Sequence, residues 1–145
     1  MFLGEHKHTL DDKGRVSLPR KFRDRIPDGR VVVAKGMNGC LAVYPEDRYE
    51  EMMARLRQSS PYDPRALALR RFFMSGASTA ELDKAGRLNI PPALREHAGL
   101  ERDVCVSGVG DWIEIWDASK WEAYNAETAE SLESSAAELA GEGIL

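Results

Sequence analysis

Two arginines, Arg15 and Arg87, each stand four residues after an aspartate, Asp11 and Asp83, and directly after a glycine, Gly14 and Gly86. A guanidinium is a planar, permanently charged fork that meets two acceptors at once, on a phosphate or on a guanine edge. The same fork pairs with carboxylates, so an Asp–Arg ion pair confined to the turn is the competing use of these residues. The spacing leaves both open, and they are compatible: the aspartate can hold the loop while the arginine projects from it. Aspartate at the start of a tight turn accepts hydrogen bonds from backbone N–H groups ahead of it, and glycine three residues on permits φ > 0 where the chain reverses. Such bonds lower the carboxylate pKa, which suits Asp11, Asp12 and Asp83 to forming turns and not to acid catalysis.

The surroundings of the two arginines are themselves duplicated. LDDKGRVSLPRKFRD, Leu10 to Asp24, returns without a gap as LDKAGRLNIPPALRE, Leu82 to Glu96, at an offset of 72. Val16 and Leu18, or Leu88 and Ile90, alternate with Ser17 or Asn89, which predicts a short strand with one buried face. Pro19 and Pro91 end the strand and open a helix. The same offset carries Arg30–Ala34 onto Arg102–Val106, Gly36 onto Gly108, Leu41–Tyr44 onto Ile113–Trp116 and Tyr49 onto Trp121. Each copy thus reads as turn, strand, short helix, β-hairpin and longer helix, in a pseudo-twofold pair. Neither copy is long enough to bury a core alone, so the two should share one. The divisions are 1–58 for the first repeat, 59–76 for a linker and connecting helix, and 77–145 for the second repeat with an acidic C-terminal helix and tail.

Composition places the chain among ordinary globular proteins, with 43% hydrophobic and 30% charged residues. No apolar run approaches a bilayer span, and MFLGEHKHTL lacks a basic stretch followed by an apolar one, which points to an intracellular protein. The net charge of −4 is unevenly spread. From Glu122 onward there are six glutamates and no lysine or arginine, which leaves the preceding residues at +2. The first thirty residues hold eight Lys or Arg against five Asp or Glu, so positive charge gathers where the first motif lies. Lys13 has Ala85 as its counterpart, and unequal contributions of the two copies to an anionic partner are expected.

The pattern along the chain predicts an entry strand over 1–9, a helix over 20–26 with a basic face of Arg20, Lys21, Arg23 and Arg25, and a hairpin turning at Gly36–Gly39. That face is either solvated or a phosphate-contacting surface, with Arg20 and Lys21 as candidate contacts. Tyr49, Met52, Met53 and Leu56 give the helix over 45–58 one apolar stripe. Asp63 caps a helix with Pro64 at its first position and Leu69, Phe72 and Phe73 along its edge; Gly76 ends it, and 77–82 is the second entry strand. The second hairpin turns at Gly108–Asp111, and Asp117 caps a last helix striped by Trp121, Tyr124, Thr128, Leu132, Ala136 and Leu139.

Other chemistry is not supported. His6 and His8 share a strand face without a third metal ligand at a sensible spacing. Cys40 and Cys105 lack Cys-x-x-Cys partners and read as buried reduced thiols. Gly108-Val109-Gly110 has neither a following helix nor a phosphate-binding lysine, and reads as a hairpin turn. Asp-x-x-Gly occurs in GTPases, but no phosphate loop accompanies it. No Ser/His/Asp or Cys/His set is spaced for nucleophilic catalysis. We expect no catalytic residue, no metal and no cofactor.

The two Asp-x-x-x-Arg stretches, Asp11 to Arg15 and Asp83 to Arg87, inside duplicated strand–helix–hairpin units, together with the opening MFLGEHKHTLDDKGRVSLPRKFR, resemble the MraZ family of bacterial transcriptional regulators. The likeness spans nearly the whole chain; the tail after about Glu127 is its least diagnostic part. It implies an α+β fold of the AbrB-like swapped-hairpin class, a small β-barrel with packed helices, both halves of which lie in one chain. It further implies a ring-shaped, octamer-like homo-oligomer, cytoplasmic and nucleoid-associated. Such a ring would bind direct repeats of double-stranded DNA in the promoter of the division and cell-wall gene cluster, its own promoter included, with repression as the default sign. The loops would carry recognition through Arg15, Arg87 and Lys13, on turns built by Asp11, Gly14, Asp83 and Gly86. Two rival expectations remain: an antitoxin-like DNA binder with a protein partner, and an oligomeric scaffold that binds no DNA.

Overall fold

A computed structural model describes all 145 residues. In chain order the elements are β1 (Phe2–Thr9), β2 (Arg15–Ser17), α1 (Arg20–Arg23), β3 (Arg30–Lys35), β4 (Leu41–Pro45), α2 (Glu46–Gln58), α3 (Pro64–Arg70), β5 (Ser78–Glu81), β6 (Arg87–Asn89), α4 (Pro92–Ala98), β7 (Asp103–Gly110), β8 (Ile113–Asp117), α5 (Ala118–Thr128) and α6 (Leu132–Gly141). A π-helical turn, Arg71–Ser75, follows α3, and a 3₁₀ turn, Ala129–Ser131, separates α5 from α6.

The apolar runs of β3, β4, β7 and β8 are too hydrophobic for strands with one wet face, and both their faces are covered. They form the centre of a six-stranded antiparallel sheet ordered β1-β7-β8-β4-β3-β5. Its ends are exchanged between repeats. The entry strand β1 of the first repeat pairs with β7 of the second, and β5 of the second pairs with β3 of the first. This strand exchange is the swapped-hairpin, AbrB-like architecture, an α+β fold completed within one chain.

On the inner face Val31, Val33, Leu41, Val43, Val104, Val106, Ile113 and Ile115 meet Val16, Leu18, Leu88, Ile90, Phe22 and Leu94 in one 18-residue cluster drawn from both repeats. Neither repeat has a core of its own. On the outer face α2 covers Ala34, Ala42 and Tyr44, while α5 covers Cys40, Cys105 and Trp116. Tyr44 packs on Tyr49 and Trp116 on Trp121, ring centroids 5.4 and 5.3 Å apart, so the two helices repeat one aromatic contact at the offset of 72. Both cysteines are buried and unpaired, and burial pushes the Cys40 thiol up to about 12.

The offset does not run unbroken. Val31 and Val33 face the core, and their counterparts by position in the sheet are Val104 and Val106, not Asp103 and Cys105. At β3 and β7 the true offset is 73, and it returns to 72 at β4 and β8, where Leu41 pairs with Ile115 and Val43 with Ile113. One extra residue enters before β7, and the second hairpin is one residue shorter. A strand shifted by one would turn its core face outward, so burial decides the register where like-for-like residues cannot. Four boundaries also differ from those the sequence predicts. α1 stops at Arg23 instead of reaching Ile26, with no left-handed residue at its end, whereas α4 runs to Ala98 and ends on Gly99 at φ 60°. The second hairpin turns at Val109–Trp112, because β1 extends β7 through Gly110. The second entry strand is the four residues Ser78–Glu81. The last helix breaks at Ala129, and only Trp121 and Tyr124 of its stripe pack; Leu132 stays 61% exposed. The predicted caps are present: Asp63 accepts from the Arg65 N–H at 2.9 Å and Asp117 from the Lys120 N–H at 3.2 Å. No helix is long and apolar enough to cross a membrane.

Candidate nucleic-acid interface

Each loop is closed by its own aspartate. Asp11 accepts from the backbone N–H groups of Lys13 and Arg15, both at 2.9 Å, on Oδ1, and from Arg15 Nε at 2.8 Å on Oδ2. Asp83 does the same with Ala85, Arg87 and Arg87 Nε, at 2.9, 2.9 and 2.8 Å. Gly14 and Gly86 both take φ 77°, and each donates its N–H to the carbonyl of its aspartate, closing the reverse turn. The backbone N–H of Arg15, then the Arg15 guanidinium and the Lys13 N–H, hold Asp11 below the usual carboxylate range; the corresponding groups of the second loop act alike on Asp83. The ion pair is therefore realised, and it leaves the Arg15 and Arg87 side chains 27% and 36% exposed. Only Nε of each guanidinium is engaged within the protein, and its terminal nitrogens meet no protein acceptor.

The loops feed β2 and β6, which pair with each other as a separate two-stranded ribbon. Val16 pairs with Leu88, both wholly buried, and since these two are equivalent in the repeats the pseudo-twofold axis passes between them. The alternation of a strand then puts Arg15, Ser17, Arg87 and Asn89 together on the outer face. Arg15 is opposite Asn89 and Arg87 opposite Ser17. The arginines are thus diagonal neighbours, roughly 7–8 Å apart at the backbone. Each loop is also tied to the other repeat: Gly14 O accepts from the Ile90 N–H at 2.9 Å and Gly86 O from the Leu18 N–H at 3.1 Å.

Ser17 and Asn89 were not singled out by the sequence as site residues. Their signal was present, as the polar members between two buried apolar positions. Of the other candidates, Lys13 is exposed on its loop and Arg20 on α1, while Lys21 leans over the Phe22 ring, 5.8 Å from its centroid, and lies beside Gly4 of β1. His6 stacks edge-on against Phe22, and burial first, then Lys21, lowers its pKa. The expected shortage of charge in the second copy does not hold at the loop. Lys84 stands where the first copy has Asp12, so the second loop carries the larger positive charge. The shortage belongs to the helix, where Pro92 and Ala93 stand in place of Arg20 and Lys21.

The family model described as "MraZ protein, putative antitoxin-like" matches this chain twice, over residues 1–72 and 73–142. The chain belongs to the MraZ family. Among curated relatives, the transcriptional regulator MraZ of Acetivibrio thermocellus is 43% identical over 144 residues, 99% of this chain and 100% of that one. The protein of the same name from Kineococcus radiotolerans is 46% identical over 86% of each chain, and that of Syntrophomonas wolfei 44% identical over 99% of this chain and 100% of its own. The solution structure of PHS018 from Pyrococcus horikoshii aligns with 79% of this chain and 88% of that one at 18% identity, with a TM-score of 0.33, too low to bear on the fold. Membership rests on the whole length of the chain, with one family match for each copy of the loop-and-ribbon unit.

Proposed function

We propose that this MraZ family member is a sequence-specific DNA-binding transcriptional regulator that reads double-stranded DNA with the outer face of its β2–β6 ribbon. The observation that carries this reading is the diagonal pair of guanidiniums, each fixed at Nε by its own aspartate and free at its terminal nitrogens. Fixing Nε in advance lowers the entropy lost when the fork engages, and a two-stranded ribbon has dimensions that fit the major groove. Arg15 and Arg87 would meet guanine edges or phosphates, Asn89 and Ser17 would supply shorter-range polar contacts, and Lys13, Lys84 and Arg20 would add phosphate contacts.

A single ribbon face is a small footprint. Copies assembled in a ring, octamer-like, would present several faces at fixed separation, so that promoter direct repeats of matching spacing gain affinity through multivalency. The upstream region of the protein's own gene, at the head of the division and cell-wall gene cluster, is the first site to test, and occupation of a promoter there makes repression the default outcome. The protein would then act in the cytoplasm, at the nucleoid.

The test is a fluorescence-anisotropy titration of that upstream DNA with wild type, Arg15→Ala and Arg87→Ala at two salt concentrations. Tight, salt-sensitive binding weakened in both variants supports the reading. Equal affinity for scrambled DNA would sink it and turn attention to protein partners, an antitoxin-like role or a scaffold; copurification of a small toxin would favour the former.

A further inference from the structure

Two further arginines lie against the recognition loops, and each belongs to the opposite repeat. Arg95, on α4 of the second repeat, covers Gly14 of the first loop: a Cβ built on Gly14 would stand 2.7 Å from Arg95 Cζ, 2.8 Å from Nη1 and 2.9 Å from Nε. Because the central carbon is the nearest of the three, the glycine faces the flat of the guanidinium and not its edge. Arg23, on α1 of the first repeat, covers Gly86 of the second loop with a different part of its side chain: Cδ occupies the space a Cβ would need, with Nη1 at 2.5 Å and Nε at 2.7 Å, the edge of the group and not its flat. The Nε atoms of Arg23 and Arg95 are buried without a hydrogen-bond partner, and neither side chain forms an ion pair with an acid. A guanidinium nitrogen buried without a partner costs free energy.

We propose that Arg95 and Arg23 are positioning residues acting in trans: Arg95 clamps the loop that aims Arg15, and Arg23 clamps the loop that aims Arg87. Glycine at 14 and 86 serves the left-handed turn, and its bare Cα also lets this arginine lie where any side chain would displace it. The clamp adds to the backbone ties from Ile90 to Gly14 and from Leu18 to Gly86, so each repeat holds the other's loop with one side chain and one hydrogen bond. Neither recognition loop is then complete within its own repeat.

This inference rests on the DNA-binding reading for its consequence, but its geometry can be tested apart from it. In the DNA titration, Arg95→Ala should weaken binding about tenfold in the wild-type and Arg87→Ala backgrounds, and far less in Arg15→Ala, where the clamped fork is already gone. Arg23→Ala should show the mirror pattern. Arg95→Lys should fail to rescue, since it keeps the charge without the flat face, and the salt dependence of binding should be unchanged. A salt slope reduced by about 1 would overturn the proposal by making Arg95 a direct phosphate contact. Equal losses in all backgrounds would overturn it by making the effect one of general folding. Without DNA, NMR hydrogen exchange at the Lys13 and Arg15 amides, both bonded to Asp11, should quicken in Arg95→Ala while the Ala85 and Arg87 amides stay protected. Unchanged exchange in the first loop would overturn the clamp even if DNA binding held. Failure of the wild type to bind its upstream DNA would refute the functional reading and leave the clamp to be decided by exchange.

Discussion

The loops of the two repeats agree to within 0.2 Å in every corresponding hydrogen bond, while the elements around them have drifted apart. The first repeat has a four-residue helix and an eight-residue entry strand; the second has a seven-residue helix and a four-residue entry strand, preceded by a helix that the first repeat lacks. A duplicated unit can change its flanks wherever the core tolerates the change. The loops have changed only at side chains that point to solvent, Asp12 against Lys84 and Lys13 against Ala85. What stays fixed is what the twofold contact and the turn chemistry both require.

The comparison breaks most severely at the axis. Leu88 is wholly buried where the repeats meet, and Leu88→Ala should cost about 2–5 kcal/mol of stability, measured by denaturant unfolding in a single cooperative transition. Two separated transitions would show that the halves fold apart, against the shared cluster. Next come the forks. Arg15→Ala and Arg87→Ala should each lose about 1–3 kcal/mol of DNA-binding free energy, and near-equal losses are expected from equal loops. A loss confined to Arg15 would mean that the basic helix α1, not loop geometry, decides which copy reads DNA.

A smaller effect distinguishes the solvent-facing substitutions. Lys13→Ala and Lys84→Ala should each lower the salt dependence of DNA binding by about one counterion while leaving sequence preference alone. Asp12→Lys, which gives the first loop the charge its counterpart has, should raise affinity at low salt more than at high salt. The smallest effect concerns pH. The native pKa values of Asp11 and Asp83 are lowered, so their stabilisation of the loops is complete above the ordinary carboxylate value of 3.8 and is lost as pH falls through the native one. His6 also has a lowered native pKa, so its contribution is complete above 6.5 and declines as pH falls below that. NMR titration from pH 8 to 5 should therefore leave the Arg15 and Arg87 Nε–H signals in place while those around Phe22 shift. Matching movement of both sets would contradict the assignment of these groups.

Much of the candidate site was legible because it is local. Asp11, Gly14 and Arg15 lie within five residues, and the turn that joins them follows from side-chain and backbone chemistry that no distant contact needs to supply. Tyr49 and Trp121 were legible for a related reason, since each packs on an aromatic residue five positions earlier on the neighbouring strand. The slip from 72 to 73 was hidden, because Val31-Val32-Val33 aligns almost equally well with Asp103-Val104-Cys105 or Val104-Cys105-Val106 as letters. Only burial of alternate residues tells the registers apart. Whether Leu132 and Leu139 are covered is not legible, because helical spacing describes a stripe without saying what packs on it; in the single chain both are exposed.

By itself, then, the sequence determined the duplication, the turn at each motif, the caps at Asp63 and Asp117 and the α+β class, all of which depend on near neighbours or on periodicity. The tertiary structure alone decided that entry strands change places between repeats, that Asn89 and Ser17 stand across from Arg15 and Arg87, and that Arg95 and Arg23 lie on the glycines of each other's loops. These relations join residues more than forty positions apart, and only packing about the Val16–Leu88 axis brings them within reach.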